Sequence, residues 1–296
     1  MIDYKQLFFD ENEKPLDRLT ETGGFTSIFR TIACIGDSLS SGEFQCKTPD
    51  GVMHYNDYYE YSWGQYIARM CGNTVYNFSK GGMTAKQYMN GFADSRGLWD
   101  EGKKAQAYII ALGCNDLNGG HEPLGSIEDV HDDDPSTNAD TYAGWYGRIV
   151  ARYKKISPDA KFFFMTMPGT DADSRGRDRA GQAALMYDFA AHYTNSYVID
   201  LYKYATVYDK EYRDYFYLLG HETPSGYYFS ALQIASYIDW IIRHNMKDFK
   251  RVGYMNTPFS DTNIAKLVAA KEKAEKAAAE AAAAAAANEA PAGSAL

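Results

Sequence analysis

Five short apolar runs, at 30–35, 74–78, 107–112, 161–167 and 197–200, recur along the chain, each rich in β-branched or aromatic residues. Runs of this length and composition read as β-strands. Between them, the segments 66–70, 141–153 and 180–193 carry apolar residues at mixed spacings of three and four, the period of an amphipathic helix. Strands that alternate with helices pair in parallel through right-handed crossovers. The pattern therefore predicts a three-layer α/β/α sandwich around a mostly parallel five-stranded sheet. A further helix is expected after Thr223-Pro224, a capping residue followed by proline at the first helical position. Its inward stripe is Ala231, Ile234, Ile238, Ile241 and Ile242.

Two long connections interrupt the alternation. The stretch 117–140 contains Gly119-Gly120 and Asp132-Asp133-Asp134, and 168–179 alternates aspartate with arginine. Long loops in compact domains tend to be functional, so both are expected to border a substrate site. After Asp261 the composition turns to Ala, Lys and Glu and ends in seven consecutive alanines at 281–287. High helix propensity without an apolar stripe predicts a solvated helix, frayed at its end. The expected organisation is an N-terminal extension packed on the domain (1–29), the α/β domain itself (30–260) and a helical or disordered tail (261–296).

A chain of 296 residues with 45% hydrophobic side chains can bury a core without staples. Cys34, Cys46, Cys71 and Cys114 form no CxxC pair and no zinc-type spacing, so neither a disulfide framework nor a structural metal is expected. His131 beside three aspartates is a poor metal site, because adjacent carboxylates do not converge on one ion. The start of the chain lacks a basic segment followed by an apolar one, and no apolar run reaches bilayer length. A cytoplasmic protein is expected. A net charge of -9, from 30 basic and 39 acidic side chains, argues against nucleic acid or an anionic membrane as partner and suits a neutral or weakly charged ligand. Tyrosines cluster at Tyr55, Tyr58, Tyr59 and Tyr61, where rings either half-bury as packing or stack on sugars.

Candidate chemistry lies at the predicted strand ends. Ile35-Gly36-Asp37-Ser38-Leu39-Ser40 delivers a serine where the first strand meets a turn, a placement that suits a nucleophile and equally an ordinary turn. A serine hydroxyl needs a base for its proton and dipoles for the oxyanion it creates. Asn77-Phe78-Ser79-Lys80-Gly81-Gly82-Met83-Thr84 follows the second strand, with glycines that let a backbone N–H approach a ligand. Gly113-Cys114-Asn115-Asp116 follows the third and offers a side-chain amide. Of six histidines, His221 lies just ahead of the last helix on the same sheet edge. His54, His121, His131, His192 and His244 fall in long loops or near helix ends.

Together these four segments resemble the SGNH hydrolases, also called the GDSL esterase and lipase family. The resemblance covers about 30–245. It implies a flavodoxin-like α/β/α fold, Ser38 as nucleophile, His221 as base, and an oxyanion hole made by the N–H groups of Ser38 and Gly82 with the Asn115 amide; Gly81 competes with Gly82. The family commonly carries an aspartate three residues before the histidine, where this chain has Leu218. The resemblance therefore implies a Ser38–His221 dyad, with Asp214 and Asp200 as candidate orienting acids. It implies a carboxylic ester hydrolase that needs no cofactor and acts on a small-molecule ester or acylated saccharide. An O-acetylated carbohydrate is the leading substrate. Lysophospholipase or thioesterase activity is the rival within the family, and a non-catalytic carbohydrate-binding or scaffold protein the rival outside it.

Overall fold

The computed structural model describes residues 3, 5, 8–171, 173 and 175–288. Its strands, in chain order, are β1 (Thr31–Gly36), β2 (Glu43–Lys47), β3 (Met53–Asp57), β4 (Thr74–Ser79), β5 (Ala107–Ala111), β6 (Lys161–Met165), β7 (Ser196–Ile199), β8 (Tyr217–Leu218) and β9 (His221–Glu222). Five of them form the central sheet, in the order β4-β1-β5-β6-β7 and all parallel. These are the five predicted runs. The remaining four make two small hairpins, β2–β3 and β8–β9, which the apolar pattern does not announce.

Alternation along each strand sorts side chains to the two faces of the sheet. Ala33, Ile35, Tyr108, Phe162 and Phe164 point into one core with Tyr146, Tyr153 and Phe189. The last three come from the helices α3 (Tyr142–Ile156) and α4 (Arg179–His192), which follow α1 (Ser38–Ser41) and α2 (Trp63–Cys71). Ile32, Cys34 and Phe163 point into the other core, where α2 lies with α6 (Pro224–His244), which follows α5 (Lys210–Phe216). All five residues of the predicted stripe on α6 are buried there.

The N-terminal segment lies along α6. Thr26 Oγ1 donates to the Ala235 carbonyl at 2.8 Å, and Trp240 Nε1 to the Glu13 carbonyl at 2.8 Å. Arg243, buried at the end of α6, donates to Asp239 at 2.8 Å and is clasped by Glu13. At the other end of the chain, the described side chains of α7 (Asp261–Asn288) are exposed apart from Thr262, whose Oγ1 ties the first turn to the domain by donating to Asp159 at 2.7 Å.

Candidate active site

The parallel register aligns Gly36 of β1 with Ser79 of β4 and Ala111 of β5, so all three chains leave the sheet at one level. The strand order reverses direction at β1, and the crevice beyond the strand ends at such a point is where α/β sheets place their ligands. Ser38, Gly82 and Asn115 each follow within a few residues of that line. A cavity of about 590 Å³ opens there, lined among others by Asp37, Ser38, Leu112, Asn115, Tyr208 and His221.

Local chemistry fixes the serine. Gly36 must be glycine, because a Cβ would sit 2.1 Å from Ser40 Oγ. Ser38 opens α1, and the Asp37 side chain caps it by accepting from Leu39 N at 3.1 Å. As the first helical residue, Ser38 has an N–H with no intrahelical partner, a free donor beside its own hydroxyl.

The three strand-end loops interlock. Asn115 Nδ2 donates to Asp37 Oδ2 and to the Met83 carbonyl, both at 3.2 Å. Asp116 is fully buried and accepts from Ala85 N at 2.7 Å, while its second oxygen has no partner. Burial, opposed by the Ala85 N–H, raises Asp116 to about 7, and burial likewise raises Asp37 to about 6. Gly82 adopts φ 73°, the left-handed region, and nothing crowds it. Gly81 is less available: its N–H donates to Asp57 at 3.3 Å, and a Cβ there would strike Glu43.

His221 sits in β9, largely buried, with Nε2 3.3 Å from Glu43 Oε1 and Nδ1 buried without a partner. It makes no hydrogen bond to Ser38; the two meet as walls of one cavity. Glu43 begins β2, and its carboxylate is brought to the histidine by the packing of two hairpins. Gly220 N donates to Gln45 Oε1 at 2.8 Å, and Tyr227 OH to the Glu43 carbonyl at 2.7 Å. Burial lowers His221 to about 4, with the charge of Asp57 opposing and that of Arg175 reinforcing. Burial, joined by the charges of Asp57 and Asp37, raises Glu43 to about 7. Both shifts disfavour the charged forms, so burial opposes an ion pair at this contact.

The sequence candidates for orienting this ring lie elsewhere. Asp214 pairs with Lys210 at 2.5 Å in the open, and Asp200 accepts from Tyr187 at 2.9 Å and Thr166 at 3.2 Å. Neither bonds to His221. Leu218 pairs with His221 across the β8–β9 hairpin, its side chain half exposed. Tyr55, Tyr58 and Tyr61 are exposed and, like Tyr59, do not line the cavity, whose tyrosines are Tyr208 and Tyr217. His192 is engaged by Asp132 at 2.8 Å and His244 by the Trp240 carbonyl at 2.7 Å. Among the described residues no group of three or more His, Cys, Asp or Glu is arranged to hold a metal, and no helix is long and apolar enough to cross a membrane.

Residues 34–229 match the family model described as GDSL-like lipase/acylhydrolase. The chain belongs to this GDSL-like family. At the family level it is a hydrolase acting on esters. Solved structures share the fold. One, 24% identical, superposes with a TM-score of 0.54 over 74% of this chain and 98% of its own. A family two carbohydrate esterase from Clostridium thermocellum, solved with cellohexaose, is 15% identical, with a TM-score of 0.50 over 80% of this chain and 66% of its own. A Corynascus thermopiles family 2 carbohydrate esterase with a carbohydrate-binding domain is 15% identical, with a TM-score of 0.47 over 72% and 70%. A search of curated proteins finds no match.

Proposed function

We propose that this GDSL-family hydrolase is a serine esterase that removes an O-acetyl group from a carbohydrate through an acyl-enzyme. The observation that carries the reading is the convergence of Ser38, His221 and Asn115 on one cavity at the strand ends. Ser38 Oγ attacks the ester carbonyl carbon, and its proton passes to a neutral His221. The oxyanion is received by the Ser38 and Gly82 N–H groups and by Asn115 Nδ2, which exchanges its bonds to Asp37 and Met83 for the new one. Collapse breaks the bond to the alcohol oxygen, which takes the proton from His221. Water then attacks the acyl-enzyme, gives its proton to the same ring, and releases the acid with Ser38 restored. The step requires the imidazole to turn from Glu43 toward Ser38, a tightening that catalytic pairs commonly complete only with substrate bound.

Glu43 is a positioning residue in this scheme, holding the ring through Nε2 before the substrate enters. The carbohydrate direction accords with the esterase neighbour solved with a cello-oligosaccharide. The experiment is intact-mass analysis after treatment with a fluorophosphonate. One adduct is expected on the parent, none on Ser38→Ala and a strongly slowed reaction on His221→Ala. An unlabelled parent enzyme would favour a non-catalytic binding role for the same cavity.

A further inference from the structure

The acidic sequence suggests a neutral ligand, yet one wall of the cavity is built from arginine. Arg175, Arg177 and Arg179 come from the loop after β6 and the start of α4, and Arg213 comes from α5. All four line the cavity that holds Ser38 and His221. Arg177 Nε donates to the Cys114 carbonyl at 2.8 Å, and Arg179 Nη1 to the Pro168 carbonyl at 2.7 Å, so both guanidinium groups are fixed in place. Their side chains are only 11% and 17% exposed, which makes them part of the built wall rather than solvated surface.

The carboxylates nearby do not balance this wall. Asp173 is shared between Arg177 at 3.1 Å and Arg179 at 2.8 Å, and Asp171 accepts from Arg213 at 3.2 Å. Arg175 makes no side-chain hydrogen bond or ion pair among the described residues, and Asp37 is turned to Leu39 N and Asn115. Four guanidinium groups therefore meet three carboxylates, of which Asp37 and Asp173 line the cavity and Asp171 pairs with Arg213. Glu43 and Asp57 do not line the cavity, so the surface a ligand meets there is net positive. Guanidinium groups present planar forks that match carboxylate and phosphate oxygens, and fixed ones lose little freedom when they bind.

We propose that this wall is an anion subsite, and that the substrate is an acylated sugar carrying a carboxylate or phosphate on the part that becomes the leaving alcohol. The proposal rests on the serine esterase reading for its reaction, while the subsite itself is testable without turnover. Arg175 and Arg213 recruit the anion, and Arg177 and Arg179 hold the loop that shapes the fork.

The test compares ligands that differ only in the anion. Binding of methyl glucuronoside, the matching glucuronamide and methyl glucoside 6-phosphate is measured by calorimetry, and kcat/KM is measured for the acetylated forms of each. At low salt, at least one anionic ligand is expected to bind about tenfold or more tightly than the amide. Its acetyl ester is expected to show a similar preference in kcat/KM, weakened as salt rises. Which anion wins tells carboxylate from phosphate. In Arg175→Gln, and further in Arg175→Gln with Arg213→Gln, the anion-to-amide ratio is expected to fall toward one. Among the described residues the Arg175 side chain makes no hydrogen bond or ion pair, so the single variant tests the subsite without breaking one. Equal binding of acids and amide by the parent protein overturns the proposal whether or not the esters are cleaved. Selective anion binding by a protein that never reacts at Ser38 would instead overturn the esterase reading and leave the subsite standing.

Discussion

The pairing of His221 with Glu43 makes a quantitative prediction about Glu43→Gln, which keeps the size and hydrogen-bonding capacity of the side chain and removes its ionisation. In the parent, the ring becomes available as a base when pH rises through about 4, and Glu43 ionises near 7. Above that second value a carboxylate stands beside the ring that, in the proposed mechanism, becomes positive as it takes the Ser38 proton. Unit charges separated by the 3.3 Å between Nε2 and Oε1 attract by about 5 kcal/mol at an effective dielectric near 20. The proposed mechanism turns the ring partly away, and the charge of Asp57 already opposes the effect of its burial. If the transition state realises a quarter to half of that attraction, the loss is roughly 1.3 to 2.5 kcal/mol, or about 8- to 70-fold in rate.

The assay is kcat/KM for p-nitrophenyl acetate from pH 3.5 to 9. The parent is expected to show a rise near 4 and a second near 7; Glu43→Gln keeps the first, lacks the second, and falls behind the parent above neutrality. Below about pH 6, where Glu43 is protonated, the two enzymes should converge. A variant whose profile tracks the parent within about twofold from pH 5 to 9 would refute the role given to Glu43. Equal loss at every pH would point to a steric contribution alone.

Asn115→Ala should lower kcat by about 10² to 10³ in the same assay, the usual cost of one oxyanion donor, and a variant within threefold of the parent would remove Asn115 from the hole. Stability should depend on pH in an unusual direction. Asp37, Glu43, Asp116 and Glu222 all have native values raised by burial, to between about 6 and about 7. Each therefore contributes stability that is present below its unfolded value and lost as pH rises through the native one, whereas His221, depressed to about 4, works the opposite way between about 4 and 6.5. Four carboxyls outweigh one imidazole, so Tm should fall between about pH 4 and 7. Asp116→Asn should flatten that fall by up to about 4 kcal/mol; an equally steep fall in the variant would contradict the assignment. Ile238→Ala, in the fully buried stripe of α6, should cost about 2 to 5 kcal/mol in denaturant unfolding without changing pH dependence.

The fold was legible in the sequence because its signals are local. A strand buried in a parallel sheet must be apolar along its length, and a helix lying on that sheet must repeat its apolar residues at three and four. Both patterns can be read within a dozen residues, which is why the five strands and the stripe from Ala231 to Ile242 stand out. The candidates Ser38, Gly82 and Asn115 stand out in the sequence for a related reason. Each lies just beyond a strand whose register ends at the same level, so position along the chain translates directly into position at the site.

Glu43 carries no such signal. It belongs to a hairpin whose second strand is wholly exposed, and it reaches His221 through contacts between segments far apart in sequence, Gln45 with Gly220 and Tyr227 with the Glu43 carbonyl. Sequence position alone therefore offers Asp214, which faces solvent with Lys210, and Asp200, which is held by Tyr187 and Thr166. The charge of the ligand site is hidden in the same way. A net charge of -9 averages over the whole surface, but at physiological salt a ligand senses charges only within about 8 Å. Inside that radius what matters is which side chains converge. The alternation of aspartate and arginine at 168–179 cancels as composition. In three dimensions it does not cancel, because one aspartate is shared by two arginines while Arg175 is left facing the cavity.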